Sequence, residues 1–359
     1  MTKDRGAQLV GVQVPENLRT GLVSIGVPVY NGARYLRSAL DSLVAQDYAD
    51  FEIIISDNAS EDETEAICRD YAARDARIRY YRAERNMGPV WNAVRVYELA
   101  RGEYFMLAAH DDLRHSQYLS RCVAELERNP RALFCCTGVN FIDVDGHDIT
   151  DVFPVRSLRP VGATPRERLR ALARSTFWLD VYSLIRTPAL QDTTFGQELW
   201  GGDILIVSAL CLRGEVAEVP ERLFSYRCFL DKSPQDIAHV INPAGSVAVS
   251  WIQLTLEMLK CIWRAPLGLA EKIGLSLVFV SEFCVRNRVV NGYIHEEGFS
   301  GLRHALAWGR YRSALAIATL AAVITPTTYI GRLRASLLYR FGRARTRFWR
   351  GQRATPGAK

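Results

Sequence analysis

After Glu297 this 359-residue chain has no acidic residue, although twelve Lys and Arg follow. Residues 1–297 therefore hold 33 basic against 39 acidic side chains, and the tail carries the whole positive excess. A stretch with no counter-charge of its own points to an anionic partner, either a membrane surface or nucleic acid. Cysteines number eight, at positions 68, 122, 135, 136, 211, 228, 261 and 284, yet no Cys-x-x-Cys pair occurs. That removes zinc-ribbon and thioredoxin-type chemistry. Several lie in apolar runs such as Leu133-Phe134-Cys135-Cys136, where a thiol behaves as a small hydrophobe, so reduced cysteines in a cytosolic protein are expected. No Gly-x-Gly-x-x-Gly follows a strand-like run, which disfavours a dinucleotide enzyme. Met1-Thr2-Lys3-Asp4-Arg5 brings no apolar stretch, an expectation against a signal peptide. A bilayer span of about 20 apolar residues is also missing. Ser313–Ile330 is uncharged, but only Ala314–Ile324 is continuously apolar, apart from Thr319. There is no internal repeat and no low-complexity segment.

What is present is alternation of strand and helix signals. Residues 1–20 read as an irregular lead-in. Leu22–Val27, Phe51–Ile55, Ile78–Tyr81, Tyr104–Ala109 and Leu133–Gly138 are apolar runs of strand length. Between them, Leu36, Leu40 and Leu43 mark a helix, Val90–Leu99 and Gln117–Glu127 two others, and Ser60 with Glu63 forms a capping-box signature before a fourth. Asp203 heads an apolar helix, Ile204–Leu212, followed by two short strands, Val216–Val219 and Leu223–Tyr226. Helices are expected at Val247–Trp263, Leu267–Val285, Gly301–Trp308 and Ala314–Ile324. Strands alternating with such helices predict an α/β fold with a mostly parallel, Rossmann-like sheet flanked by helices. Domain bounds are expected at 21–240 for this part, with 241–359 as an added helical, basic region.

Four short segments stand out: Val27-Pro28-Val29-Tyr30-Asn31, Ser56-Asp57-Asn58-Ala59-Ser60, His110-Asp111-Asp112 and Gly201-Gly202-Asp203. The first three each end a strand-like run, and ligands of open α/β sheets bind at strand carboxyl ends. With Gln46-Asp47-Tyr48 and Asn86-Met87-Gly88 in the intervals, residues 20–230 resemble the family 2 nucleotide-sugar glycosyltransferases of GT-A fold. The resemblance implies an inverting, metal-dependent transfer from a nucleoside-diphosphate sugar, most readily a UDP-sugar, to a glycan or lipid-linked acceptor.

It also implies roles for single residues. Pro28 and Tyr30 would wall a base pocket, Asp57 would accept from a uracil-like N–H, and Asn86 and Gly88 would touch the nucleotide-sugar. Asp111 maps to a sugar-nucleotide contact and Asp112 to a ligand of Mg²⁺ or Mn²⁺, a cation that needs few protein ligands beside phosphate. His110 stands where the Asp-x-Asp pattern has its first acid. Asp203 maps to the base that takes a proton from the acceptor hydroxyl. Gly202 replaces the acid that often precedes it, and an ordinary helix N-cap remains the other reading of Asp203. Trp200 and Glu198 are acceptor-side candidates, and Arg227 suits a diphosphate.

The tail mixes Arg332, Arg334, Arg340, Arg343, Arg345, Arg347 and Arg350 with Leu337, Leu338, Tyr339, Phe341, Phe348 and Trp349. Such a mixture suits an interfacial helix on anionic lipid. No nucleic-acid module accompanies it, so a peripheral protein at the inner face of the cell membrane is expected. Two alternatives stay open: a sugar-nucleotide pyrophosphorylase, and a non-catalytic nucleotide-sugar-binding protein associated with a membrane.

Overall fold

The structure, a computed structural model, describes residues 12–151, 159–175, 178–199, 201–229 and 250–286. An eight-stranded sheet runs through it in the order β3-β2-β1-β4-β7-β6-β8-β5. The strands are β1 Arg19–Val29, β2 Phe51–Asp57, β3 Ile78–Arg82, β4 Gly102–Leu107, β5 Leu113–Arg114, β6 Ala132–Ile142, β7 Leu184–Arg186 and β8 Glu215–Arg227. Helices α1 Ala33–Val44, α2 Thr64–Arg74, α3 Pro89–Glu98 and α4 Tyr118–Arg128 alternate with the first strands. Then come α5 Pro165–Arg174, α6 Gly202–Arg213, α7 Trp251–Arg264 and α8 Leu269–Phe279, the last running into a π-helix, Val280–Arg286.

Period-two alternation along the strands sorts the core onto two faces. Val23, Ile25, Val27, Ile53, Ile55 and Met106 face the side covered by α1, α2 and α4. Ile54, Phe105 and Phe134 face the side covered by α3, α5, α6 and α7. Central strands covered on both faces can be apolar throughout, and β2 is buried at all seven positions. Close approach needs small residues here. A Cβ at Gly26 would stand 2.6 Å from Val96, so α3 lies directly on β1, and one at Gly102 would stand 2.4 Å from the Leu22 carbonyl oxygen.

β1, β2, β3 and β4 pair in parallel, as expected. The second half is mixed: β7 runs antiparallel to β4 and β6, β5 antiparallel to β8, and β6 parallel to β8. The two short strands expected at 216–226 are one strand, β8, whose register with β6 shifts near Gly138. Three other expectations need correction. β5 and β7 were not anticipated, because a two- or three-residue strand carries no periodicity; nor was the ten-residue α5, despite its Thr164-x-x-Glu167 start. Ser60 does not cap α2, whose N-cap is Glu63 without a side-chain bond; the capping box is at Thr164 and Glu167 on α5. The expected helix Leu267–Val285 opens into a π-turn in its last part. Gly301–Trp308, Ala314–Ile324 and the tail lie outside the described residues.

Gly102→Ala forces its methyl against backbone, which cannot move like a side chain. Urea unfolding should show a loss of about 1–3 kcal/mol, the usual cost of overpacking. Unchanged stability would mean that β1 and β4 are further apart than described.

Candidate active site

The strand order 3-2-1-4 reverses between β1 and β4, and a crevice opens outside their carboxyl ends. Tyr30 lies there, 42% exposed, with Pro28 half-buried behind it. Gly32 takes the His110 ring against its backbone, since a Cβ would sit 2.6 Å from that ring. His110 therefore packs against the turn that follows β1.

On the β2 side, Asp57 is fully buried and its carboxylate is spoken for. Oδ1 accepts from the Ser60 N–H at 2.8 Å, and Oδ2 accepts from Tyr80 at 2.9 Å and from Arg82 Nη1 at 2.6 Å. Ser60, expected in a capping box, instead uses its Oγ to hold the Asn31 N–H. Asn58, which went unassigned, is the knot of the next loop. Its Nδ2 donates to Asn86 Oδ1 and to the Gly88 carbonyl, and its Oδ1 accepts from the Met87 N–H. Gly88 has φ +91°, a conformation that favours glycine, with open space where a side chain would be. Asn86 thus acts on the turn, and the absent side chain of Gly88 leaves that side of the turn open.

Asp111 and Asp112 follow β4, and the two-residue β5 anchors them by pairing Leu113 with Ser225 and Arg114 with Phe224. Asp112 is 4% exposed. Its Oδ1 accepts the Arg227 backbone N–H at 2.9 Å, whereas Oδ2 is buried and has no partner in the chain. Burial first, and then the charge of Asp111, push its carboxyl up to about 7. A buried carboxylate oxygen without a donor is costly. A hard divalent cation would relieve that cost, and the residues present fit one: Asp112 as direct ligand, Asp111 beside it.

Arg227, expected at a diphosphate, has a different set of contacts. Nε donates to the Asp111 carbonyl at 2.9 Å; Nη1 donates to the Asp143 and Val144 carbonyls at 2.9 and 3.1 Å. Its guanidinium carbon lies 4.6 Å over the Tyr35 ring. Arg227 is thus a buried clamp joining the Asp111–Asp112 loop to the loop after β6. That second loop holds Asp143, Asp145 and His147 with ligand atoms within 4.8 Å of one another, but Asp143 Oδ1 accepts the Asp145 and His147 N–H groups, so the cluster is the turn's own bonding.

Asp203 is in the first turn of α6, and the N-cap is Gly201 at φ +71°. The ordinary cap reading of Asp203 therefore falls. Its side chain is accessible to water, yet loss of surrounding solvent pushes its carboxyl up to about 6. Tyr182, missed in the sequence, and Tyr226, next to the expected Arg227, line the space between the acids. Burial first, and then the charges of Asp203, Asp112 and Asp111 among others, raise both phenols. Glu198 is exposed on the preceding loop. Trp200 lies outside the described residues.

Residues 24–191 match the family model described as Glycosyl transferase family 2. A protein of Rickettsia typhi named uncharacterized glycosyltransferase is 35% identical over 143 residues, 39% of this chain and 43% of its own. One of Methanocaldococcus jannaschii with the same description is 30% identical over 135 residues, 37% of this chain and 47% of its own. The chain thus spans less than half the length of these relatives. Crystal structures of S. aureus TarS residues 1–349 share the fold at 18–19% identity. The complex with UDP gives a TM-score of 0.52 over 73% of this chain and 71% of that one; the complex with UDP-GlcNAc gives 0.53 over 74% of each.

Arg227→Lys keeps the charge but cannot reach three carbonyls in two directions. Mn²⁺ affinity, read from water-proton relaxation, should fall by about tenfold or more, as for other groups that orient a metal ligand. Equal Mn²⁺ affinity in the variant would deny the clamp its role.

Proposed function

We propose, for a chain whose residues 24–191 match the model of glycosyl transferase family 2, an inverting, metal-dependent transfer of a sugar from a nucleoside-diphosphate sugar to a hydroxyl group. The observation that carries this reading is the open, buried Oδ2 of Asp112, whose charge and that of Asp203 act on the same two phenols, Tyr182 and Tyr226. When bound, Mg²⁺ or Mn²⁺ would offset the charge of the departing diphosphate. Asp112 would hold it, with Asp111 toward the sugar nucleotide.

The chain's own residues supply the rest. Tyr30 and Pro28 offer a flat wall for the base, and the Gly88 backbone allows close approach to the nucleotide. That TarS crystallised with UDP and UDP-GlcNAc supports a uracil nucleotide as the first donor to try. Asp203 takes the proton from the acceptor hydroxyl as that oxygen attacks the anomeric carbon opposite the leaving diphosphate. A carboxyl near 6 is better matched to this task than an ordinary one, because a base works best when its pKa lies near the working pH. Glu198 stands at the acceptor approach. A glycan or lipid-linked acceptor, met at the inner face of a membrane, fits the basic residues after Glu297. Among the described residues no helix is long and apolar enough to cross a membrane.

Purified protein with Mn²⁺ or Mg²⁺ and a panel of sugar nucleotides should release nucleoside diphosphate slowly from one donor. Release of pyrophosphate would instead indicate a pyrophosphorylase, and binding without turnover, even with crude lipid-linked acceptor, a non-catalytic protein.

Asp203→Asn should lower transfer by at least about 10²-fold, the usual scale for a general base, while donor binding persists. The active form is the carboxylate, and its pKa is raised, so wild-type transfer should fall as pH drops through about 6. A raised carboxyl favours the folded protein when protonated and costs stability once ionised. The asparagine variant should therefore melt no lower than wild type at pH 7.5. Transfer at the parental rate would remove Asp203 from the mechanism.

A further inference from the structure

Two of the exposed large apolar side chains among the described residues, Tyr30 and Met87, lie on the loops after β1 and β3. The other four, Leu256, Trp263, Leu269 and Ile273, lie on the hairpin of α7 and α8. α7 is apolar on two sides. Leu254, Met258 and Ile262, spaced by four, enter the core, while Leu256 and Trp263, seven apart, share a line on the opposite side. α8 repeats this: Leu275, Val278 and Phe279 are buried, and Leu269 and Ile273 share an outward line. Trp263 is 50% exposed and Leu269 65%, on either side of a tip that also exposes Pro266 and Gly268. Burying a Trp and a Leu is worth kilocalories in a core, so their exposure at one tip calls for an occupant.

Charge decides which occupant. Arg264 is exposed beside Trp263, and neither it nor Lys272 has an acidic partner among the described residues. Lys260 is paired with Glu257 at 2.6 Å, and Glu271 is the opposing acid at the tip. The chain beyond Glu297 adds twelve cations and no acid. Trp with Arg or Lys around it is the composition of a membrane–water interface, where the ring sits at headgroup level and the cation reaches lipid phosphate. A second copy of the chain is a poorer fit, because four side chains fall far short of the roughly 20–30 residues a side of a stable dimer.

We propose that the α7–α8 hairpin docks on an anionic phospholipid surface. Trp263, Leu269 and Ile273 enter the boundary between headgroups and acyl chains, and Arg264 and Lys272 meet lipid phosphate. The inner face of α7 supports the Asp203 turn, since a Cβ at Gly201 would lie 2.8 Å from Leu254. One helix therefore joins the lipid-facing surface to the proposed base, an arrangement suited to a lipid-linked acceptor. The docking reading extends the membrane attachment proposed from the tail to the residues of the hairpin.

The test uses the full chain and vesicles of phosphatidylglycerol in phosphatidylcholine, or phosphatidylcholine alone. Substituting Trp263→Ser, Leu269→Ser and Ile273→Ser together should lower partitioning onto the anionic vesicles at least about tenfold. Melting temperature and donor hydrolysis without vesicles should not change. Brominated lipid should quench a component of the fluorescence that Trp263→Phe removes. Four outcomes overturn the proposal: partitioning of the triple variant within about twofold of wild type; equal wild-type binding to neutral vesicles; the same quenching in Trp263→Phe; or a vesicle-free dimer that the triple variant dissociates. Loss of binding only when Arg343, Arg345, Arg347 and Arg350 become Gln would assign attachment to the tail and also overturn it. Absence of donor hydrolysis in every form would count against the transferase reading and leave the vesicle result standing.

Discussion

A buried carboxylate with one oxygen held and the other open is the constraint around which this site is arranged. Asp112 Oδ1 takes the Arg227 N–H, and Oδ2 finds nothing in the chain. Ion burial is paid for only by a partner of opposite charge or by protonation, and Asp112 has a second acid beside it. The nearest cations do not complete it. Arg114 lies over the Phe224 ring at 3.6 Å, and the Arg227 side chain donates to backbone carbonyls. Charge at Asp112 is therefore maintained at a cost in the free protein, a cost that a divalent cation would remove.

The less regular half of the sheet makes this arrangement possible. β5 has only two residues, yet its pairing with β8 draws the Asp111–Asp112 loop across to Arg227. β8 in turn runs parallel to β6 and ends beside it, with Ile142 opposite Arg227, so the loop after β6 is within reach of the guanidinium. Three chain segments far apart in sequence thus meet at one side chain. The parallel half, β1 to β4, supplies the crevice and the loops knitted by Asn58 and Ser60. Each half alone offers only part of a site.

The parallel half was legible in the sequence because its signals are local. Apolar runs of strand length, turn residues at their ends and helical spacing between them specified four strands and their helices within a few residues. Asp111-Asp112 stood out because two adjacent acids after an apolar strand require compensation. The mixed half was harder to read. Leu113–Arg114 and Leu184–Arg186 are too short for periodicity and exist as strands only through their partners. Arg227 was noticed but given to phosphate, since nothing local reveals that three backbone carbonyls surround it. Ser60 with Glu63 matched a capping pattern, but tertiary contact took Ser60 for the Asn31 amide. Tyr182 gave no signal, as an aromatic in an apolar run reads as core until two distant acids are found beside it.

The most direct test is calorimetric binding of a nucleoside diphosphate, with and without Mn²⁺, to wild type, Asp112→Asn and Asp203→Asn. If the open oxygen of Asp112 is the cation's seat and Asp203 the base, wild type and Asp203→Asn will bind tightly only with Mn²⁺. Asp112→Asn will then bind equally weakly in both conditions. Mn²⁺-dependent binding that survives in Asp112→Asn, or disappears in Asp203→Asn, would contradict the assignment of the two carboxylates.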